Sequence, residues 1–213
     1  MAGHRSGRLD AQKKALSASE QDPAARAAWR EEVEPLDPAT FVFVDETSTT
    51  IALTRRYARA PRGQRARGQV PRNHGRPTTL LAALSPAGLG AAMTLEGAAN
   101  TDAFLAYLRE LLCPTLQPGQ LVILDNVSFH RADAARELIE AAGCRVLFLP
   151  PYSPDFNPIE HAFSKLKALL RAAGARTQAA LEAAIADALD AITTADALGW
   201  FRHCGYQHTA QTT

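Results

Sequence analysis

Three short apolar runs constrain the fold of this chain more than any other feature. Phe41-Val42-Phe43-Val44, Leu121-Val122-Ile123-Leu124 and Cys144 to Leu149 are too short for helices, and they lack the polar alternation of half-exposed strands. The first two mark strands buried on both faces, which need layers of structure above and below them, and the third is a further short apolar strand. Thr47 to Tyr57, Thr78 to Leu84 and Leu89 to Leu95 read as further strands, with Ser85 to Gly88 as a turn and 59–77 as a loop or ribbon. Helical patterns predict elements over residues 10–32 (in two pieces broken near Asp22-Pro23), Thr101 to about Leu112, Arg131 to Ala142 with Gly143 behind it, Pro158 to Ala173, and Gln178 to Ile192. Trp200-Phe201 docks the tail. Strands first, then alternating helix and strand, then helices: this is an α/β domain with a mixed sheet.

Two of the apolar runs end in acids, Asp45 and Asp125. In α/β sheets, sites lie at the carboxyl ends of parallel strands. If these two strands are neighbours, a spacing of about 4.8 Å lets their carboxylates share a cation. A third acid, Glu160, follows Leu149-Pro-Pro-Tyr-Ser-Pro-Asp-Phe-Asn-Pro158, a stretch with four prolines in nine residues. Each ring fixes φ and restricts the residue before it, so this loop is stiff. Asn157 is a good N-cap and Pro158 suits the first helical position. Three carboxylates converging on one point offer the hard oxygen ligands that Mg²⁺ prefers, and such ions serve phosphodiester chemistry.

Blander readings stand beside these. An Asp after a strand is often only a turn former. Glu160 falls where it would complete a capping box with Asn157. A histidine such as His130 is more often a capping or core residue than an active-site one, and Asn126 with Ser128 can simply tie off the loop after the strand.

Charge adds a partner. Formal net charge is only +1, yet between Glu46 and Glu96 there is no acid and there are eight arginines: Arg55, Arg56, Arg59, Arg62, Arg65, Arg67, Arg72 and Arg76. Arginine prefers phosphate, so a nucleic acid is the expected partner of this segment, with a merely solvated hairpin as the alternative. Hydrophobic content of 46% and charged content of 21% are ordinary for a globular chain, and no apolar run nears the roughly 18 residues of a membrane span. The polar opening residues do not read as a signal peptide. Three well-separated cysteines suit a reducing, cytoplasmic setting, and no Cys/His pair has zinc-ligand spacing.

The combination is more specific than its parts. Asp45-Glu46, Asp125-Asn126 followed by His130, and Pro-Pro-Tyr-Ser-Pro-Asp-Phe-Asn-Pro-Ile-Glu160 together resemble the DDE transposases of mariner-like bacterial insertion sequences. Thirty-four residues separate Asp125 from Glu160, a spacing typical of that family. The resemblance runs from about Lys13 to Tyr206 and includes Tyr57-Ala-Arg-Ala-Pro-Arg-Gly-Gln64. It implies a ribonuclease H-like mixed sheet flanked by helices, with a short helical N-terminal segment. It also implies that Asp45, Asp125 and Glu160 are the catalytic, metal-binding triad for Mg²⁺, with Mn²⁺ able to substitute. Glu46, Asn126, His130 and Asn157 would support the triad.

The resemblance further implies cleavage at transposon ends and strand transfer into target DNA, by a homodimer on DNA, in the cytoplasm at the nucleoid and away from membranes. Family members carry an N-terminal helix-turn-helix region; the apolar positions of residues 1–38 are too sparse to build one. The expected division is therefore a helical linker over 1–38, a catalytic domain over 39–206 and a tail over 207–213. A separate chain could carry the reading region. The alternative is a catalytically silent remnant that binds DNA or dimerises. Another ribonuclease H-like nuclease would share the acids but not the proline loop.

Overall fold

A computed structural model describes residues 19–55, 57–126 and 133–207. His130 and Arg56 lie outside the described residues, as does most of the first helical piece expected near residue 10. Five strands form one sheet in the order β3-β2-β1-β4-β5. They are β1 (Phe41–Thr49), β2 (Thr78–Ser85), β3 (Gly88–Glu96), β4 (Leu121–Leu124) and β5 (Arg145–Phe148). β1 runs antiparallel to β2, and β2 to β3; β4 runs parallel to both β1 and β5. The mixed sheet expected from the element order is present.

The helices are α1 (Pro23–Val33), α2 (Thr101–Tyr107), α3 (Asp133–Ala141), α4 (Ile159–Ala173), α5 (Gln178–Asp190) and α6 (Thr194–His203). After α2 the chain continues through Leu108–Leu112 as a wider π-helical turn. Side chains alternate across a strand, so each apolar run feeds two cores at once. Phe41, Phe43, Leu121 and Ile123 pack with Ile159, Phe163, Leu166 and the residues of α5 and α6. Val42, Val44, Val122 and Leu124 pack instead with Phe104, Tyr107, Leu108, Leu112 and Ile139 on the other face. Two covered faces are why Phe41–Val44 and Leu121–Leu124 carry no polar residue, whereas β5, at the sheet edge, exposes Arg145.

Two expectations about strand limits are corrected. β1 does not stop before Asp45 but runs on to Thr49, and Thr47 to Tyr57 is not a separate strand. The reason is that β1 has unequal neighbours. Its parallel ladder with β4 ends at Val44↔Leu124, whereas its antiparallel ladder with β2 continues from Asp45↔Ala82 to Thr49↔Thr78.

α1 is also more than a solvated linker. Asp22 caps it, its Oδ1 accepting from the Ala24 and Ala25 amides at 2.9 and 3.1 Å, and Trp29 and Val33 are buried in the core shared with α4. Gly143 has φ +77°, and a Cβ there would meet Pro118 Cβ at 3.1 Å, so the turn into β5 needs glycine. No helix among the described residues is long and apolar enough to cross a membrane.

Candidate active site

Parity and register bring the acids together. Asp45 lies two residues beyond Phe43 and therefore faces the α4 side of the sheet. Asp125 follows the last residue of β4, which pairs with Val44, so the two acids come at the same level of adjacent parallel strands. Glu160 arrives from the first turn of α4. All three line one cavity of about 470 Å³, whose opposite wall is the proline loop through Pro151, Tyr152 and Asn157. Asn126 lines it as well, with its side chain exposed.

The acids differ in exposure. Asp45 is buried, at 6% of its full exposure; Asp125 is intermediate and Glu160 exposed. The Asp45 carboxyl accepts from the Glu46 amide at 2.8 Å through Oδ1 and from Asn157 Nδ2 at 2.9 Å through Oδ2. Burial, then the nearby Asp125 carboxylate, push Asp45 up to about 8, with Glu46 and Glu160 adding to the rise. Acids crowded in this way, with hard oxygens facing open space, fit a divalent cation, which would take the place of the proton that Asp45 otherwise holds. Among the described residues, no three His, Cys, Asp or Glu side chains are gathered closely enough to enclose an ion by themselves. Mg²⁺ in general keeps waters and substrate oxygens alongside one or two protein carboxylates.

Asn157 does something the sequence pattern did not show. It was expected to cap α4, yet no side chain caps that helix. The Asn157 amide N–H donates to the Pro154 carbonyl, so no capping box forms with Glu160. Its side chain is instead turned inward to hold Asp45 of β1. The residue is 4% exposed, and its Oδ1 is buried without a hydrogen-bond partner.

The proline loop itself is braced from a distance. Arg26 of α1 grips Asp155 with both nitrogens, at 3.0 and 2.6 Å, and donates to Ser153 Oγ at 2.7 Å. The Trp29 indole stacks on Phe156, with centroids 5.2 Å apart and planes 13° from parallel. The Arg26 and Arg30 guanidinium carbons stand 4.0 and 4.3 Å from the same ring. From the far side, Tyr206 Oη donates to the Phe156 carbonyl at 2.6 Å. Sequence reasoning missed this brace. Trp29 in an otherwise polar, Ala- and Arg-rich helix was the visible signal, but nothing local named its partner.

The arginine segment lies apart from the cavity. Arg55, Arg59, Arg62, Arg65, Arg67, Arg72 and Arg76 are all exposed on the stretch between β1 and β2, and none of them lines the acid cavity. Its base is anchored by Arg176, whose Nη1 donates to the Ile51 and Leu53 carbonyls at 2.9 and 3.0 Å.

Comparison with known proteins bears on the fold. The chain superposes on a pre-cleavage Mos1 transpososome with a TM-score of 0.71 at 17% identity, covering 93% of this chain and 64% of that one. The Mos1 strand transfer complex gives 0.68 at 18%, covering 93% and 63%. The catalytic domain of Mos1 mariner transposase gives 0.63 at 15%, covering 85% of each chain. The chain thus has the ribonuclease H-like fold of that domain, and spans about two thirds of the length of the chains in the complexes. No curated protein matches. Residues 40–182 match the family described as DDE superfamily endonuclease. This match takes in Asp45, Asp125, Glu160 and the whole proline loop, and the chain belongs to the DDE superfamily endonucleases.

Proposed function

We propose that this chain is the catalytic part of a mariner-like DNA transposase, cleaving at transposon ends and transferring the freed strand into target DNA. The observation that carries the reading is the convergence of Asp45, Asp125 and Glu160, from three separate segments, on one open cavity in a DDE-family fold. These three side chains would hold Mg²⁺, with Mn²⁺ able to replace it; solved Mos1 paired-end complexes are described with each of these metals. Bound there, the metal would activate the attacking oxygen and neutralise the leaving one in the phosphodiester exchange.

The chain's own residues supply placement. Asn157 fixes the rotation of the Asp45 carboxyl through its 2.9 Å bond. The proline loop, held by Arg26 and Trp29, keeps Asn157 and the start of α4 at a fixed distance from the strand ends. Glu46 and Asn126, beside the two aspartates, and His130 support the triad in this reading. The arginines from Arg55 to Arg76, Arg56 among them, would grip DNA phosphates without reading bases.

The catalytic unit would span 39–206, with α1 as its brace and 207–213 as a tail. It would act as a homodimer on DNA at the nucleoid. End recognition would come from a helix-turn-helix region elsewhere in the polypeptide or on a separate chain. A silent remnant is the weaker reading, since all three acids are present and face the same space.

The test is direct. Incubated with supercoiled plasmid and Mg²⁺ or Mn²⁺, the protein should produce nicked circles, EDTA should stop the reaction, and Asp125→Asn should abolish it. Plasmid left intact by fresh protein under all these conditions would defeat the proposal.

A further inference from the structure

One residue on the rim of the acid cavity has no part in the scheme above. Among the described residues, Tyr57, Val70, Tyr152 and Leu198 are the exposed large hydrophobic side chains, and of these only Tyr152 lines the cavity. Its side chain does not serve the core, since 58% of the residue is exposed. Its backbone is left-handed, at φ +55°, a conformation that glycine or asparagine adopts far more readily than an aromatic residue.

The surroundings hold it there. Gln21 Nε2 donates to the Tyr152 carbonyl at 2.6 Å. Ser153 Oγ donates to the Pro151 carbonyl at 3.2 Å and is itself gripped by Arg26 at 2.7 Å. A strained backbone that keeps a large ring in solvent at a reactive site needs a use for that ring.

We propose that Tyr152 is a stacking platform for one unpaired nucleobase of the DNA substrate, beside the phosphate being cut. The proposal rests on the DNA-cleaving reading of the site and assigns it a base subsite. Asp45 is almost wholly buried and Tyr152 is exposed on the same cavity, so a phosphate drawn towards a cation held at Asp45 would enter past the ring. Drawing one phosphate down from a duplex pulls its nucleotide away from the stack, and an exposed base recovers that loss on an aromatic face. A ring already fixed in place loses little freedom on binding. Stacking of this kind accepts any base, and one stacked base is worth roughly 5- to 150-fold in affinity.

The experiment uses the full chain, Ca²⁺ in place of Mg²⁺, and two probes: a blunt duplex, and a duplex whose single-stranded 3′ overhang carries 5-iodouracil. Irradiation should cross-link the overhang of wild type and of Tyr152→Phe to the tryptic peptide spanning residues 146–165. Tyr152→Gly removes the ring and relaxes the backbone, so its melting temperature should hold or rise. Its affinity for the overhang should fall roughly 5- to 150-fold while blunt-duplex affinity stays put. The log-affinity against log-salt slope should not change, because no phosphate contact is lost.

Overhang binding by Tyr152→Gly within twofold of wild type, or a cross-link confined to another peptide, overturns the proposal. Plasmid nicking by the same wild-type preparation separates the two readings. Nicking without a Tyr152 cross-link overturns the base subsite and leaves the endonuclease standing. A Tyr152 cross-link without nicking overturns the endonuclease reading, and with it the placement beside a cut phosphate, leaving only a DNA-binding ring.

Discussion

Replacing Asp45 with asparagine should stabilise the metal-free protein while destroying its chemistry. Burial and the Asp125 carboxylate raise Asp45 from 3.8 to about 8. For an acid raised on folding, the associated stability is complete below the unfolded value and is lost as pH rises towards the folded one. Between pH 5 and pH 8 that loss approaches three pH units of proton linkage, or about 4 kcal/mol. Asparagine has the same shape and no proton to lose.

Its oxygen can accept the Glu46 amide that Asp45 Oδ1 accepts now, at 2.8 Å. Its nitrogen can donate to Asn157 Oδ1 once that amide turns over, which keeps one hydrogen bond between the two side chains. In EDTA, the stability of Asp45→Asn relative to wild type should therefore grow by about 4 kcal/mol from pH 5 to pH 8, about 8–16 °C in melting temperature for a chain of this size. Urea unfolding at pH 5, 6, 7 and 8 measures it. A difference between the two proteins that does not change with pH would show that Asp45 is not held protonated by its surroundings, and the reasoning would fail.

Three further outcomes follow from the same geometry. Glu160 is exposed and caps nothing, so Glu160→Gln and Glu160→Ala should both lie within about 0.5 kcal/mol of wild type in EDTA and both lose plasmid nicking; an alanine variant destabilised by 1 kcal/mol or more would restore the capping role. Arg26→Ala should cost about 1–2 kcal/mol at pH 7, discounted because Asp155 is half exposed, and should slow nicking by loosening the proline loop. The hydrogen bond from Arg26 holds the Asp155 carboxyl below the usual carboxylate range, so this contribution is present above that range and lost on acidification; urea curves of wild type and variant that stay equally far apart at pH 3 would contradict it. Changing Arg62, Arg65 and Arg67 together to Ala should leave the melting temperature in place, since all three are exposed, and flatten the salt dependence of duplex binding by up to about 3 units of log–log slope; an unchanged slope would remove them from the DNA path.

The sequence by itself determined the layers and the chemistry on offer. An uninterrupted run such as Phe41 to Val44 can be satisfied only between two covered faces, and the two cores on either side of β1 bear this out. The period of α4 marked Ile159, Ala162, Phe163, Leu166, Leu169 and Leu170 as its apolar side; five of the six are buried and Leu169 is partly buried against the same core. The three acids and the stiff loop were legible because their residue types and spacing are local facts.

Strand order was not local. Only the fold makes β1 and β4 neighbours, and only the unequal ladders on either side of β1 put Asp45 in mid-strand. Local pattern likewise could not pair Trp29 with Phe156 or Arg26 with Asp155, since each pair is far apart in sequence and neither member carries a periodic signal.

Asn157 shows the physical reason most clearly. By propensity it belongs at the start of a helix, where an amide N–H near solvent can be satisfied by water instead. Asp45, 112 residues away and buried, has no such substitute, and a polar group removed from water needs a partner within the protein. Tertiary burial made that demand, and it took the Asn157 side chain from the helix end to the carboxyl.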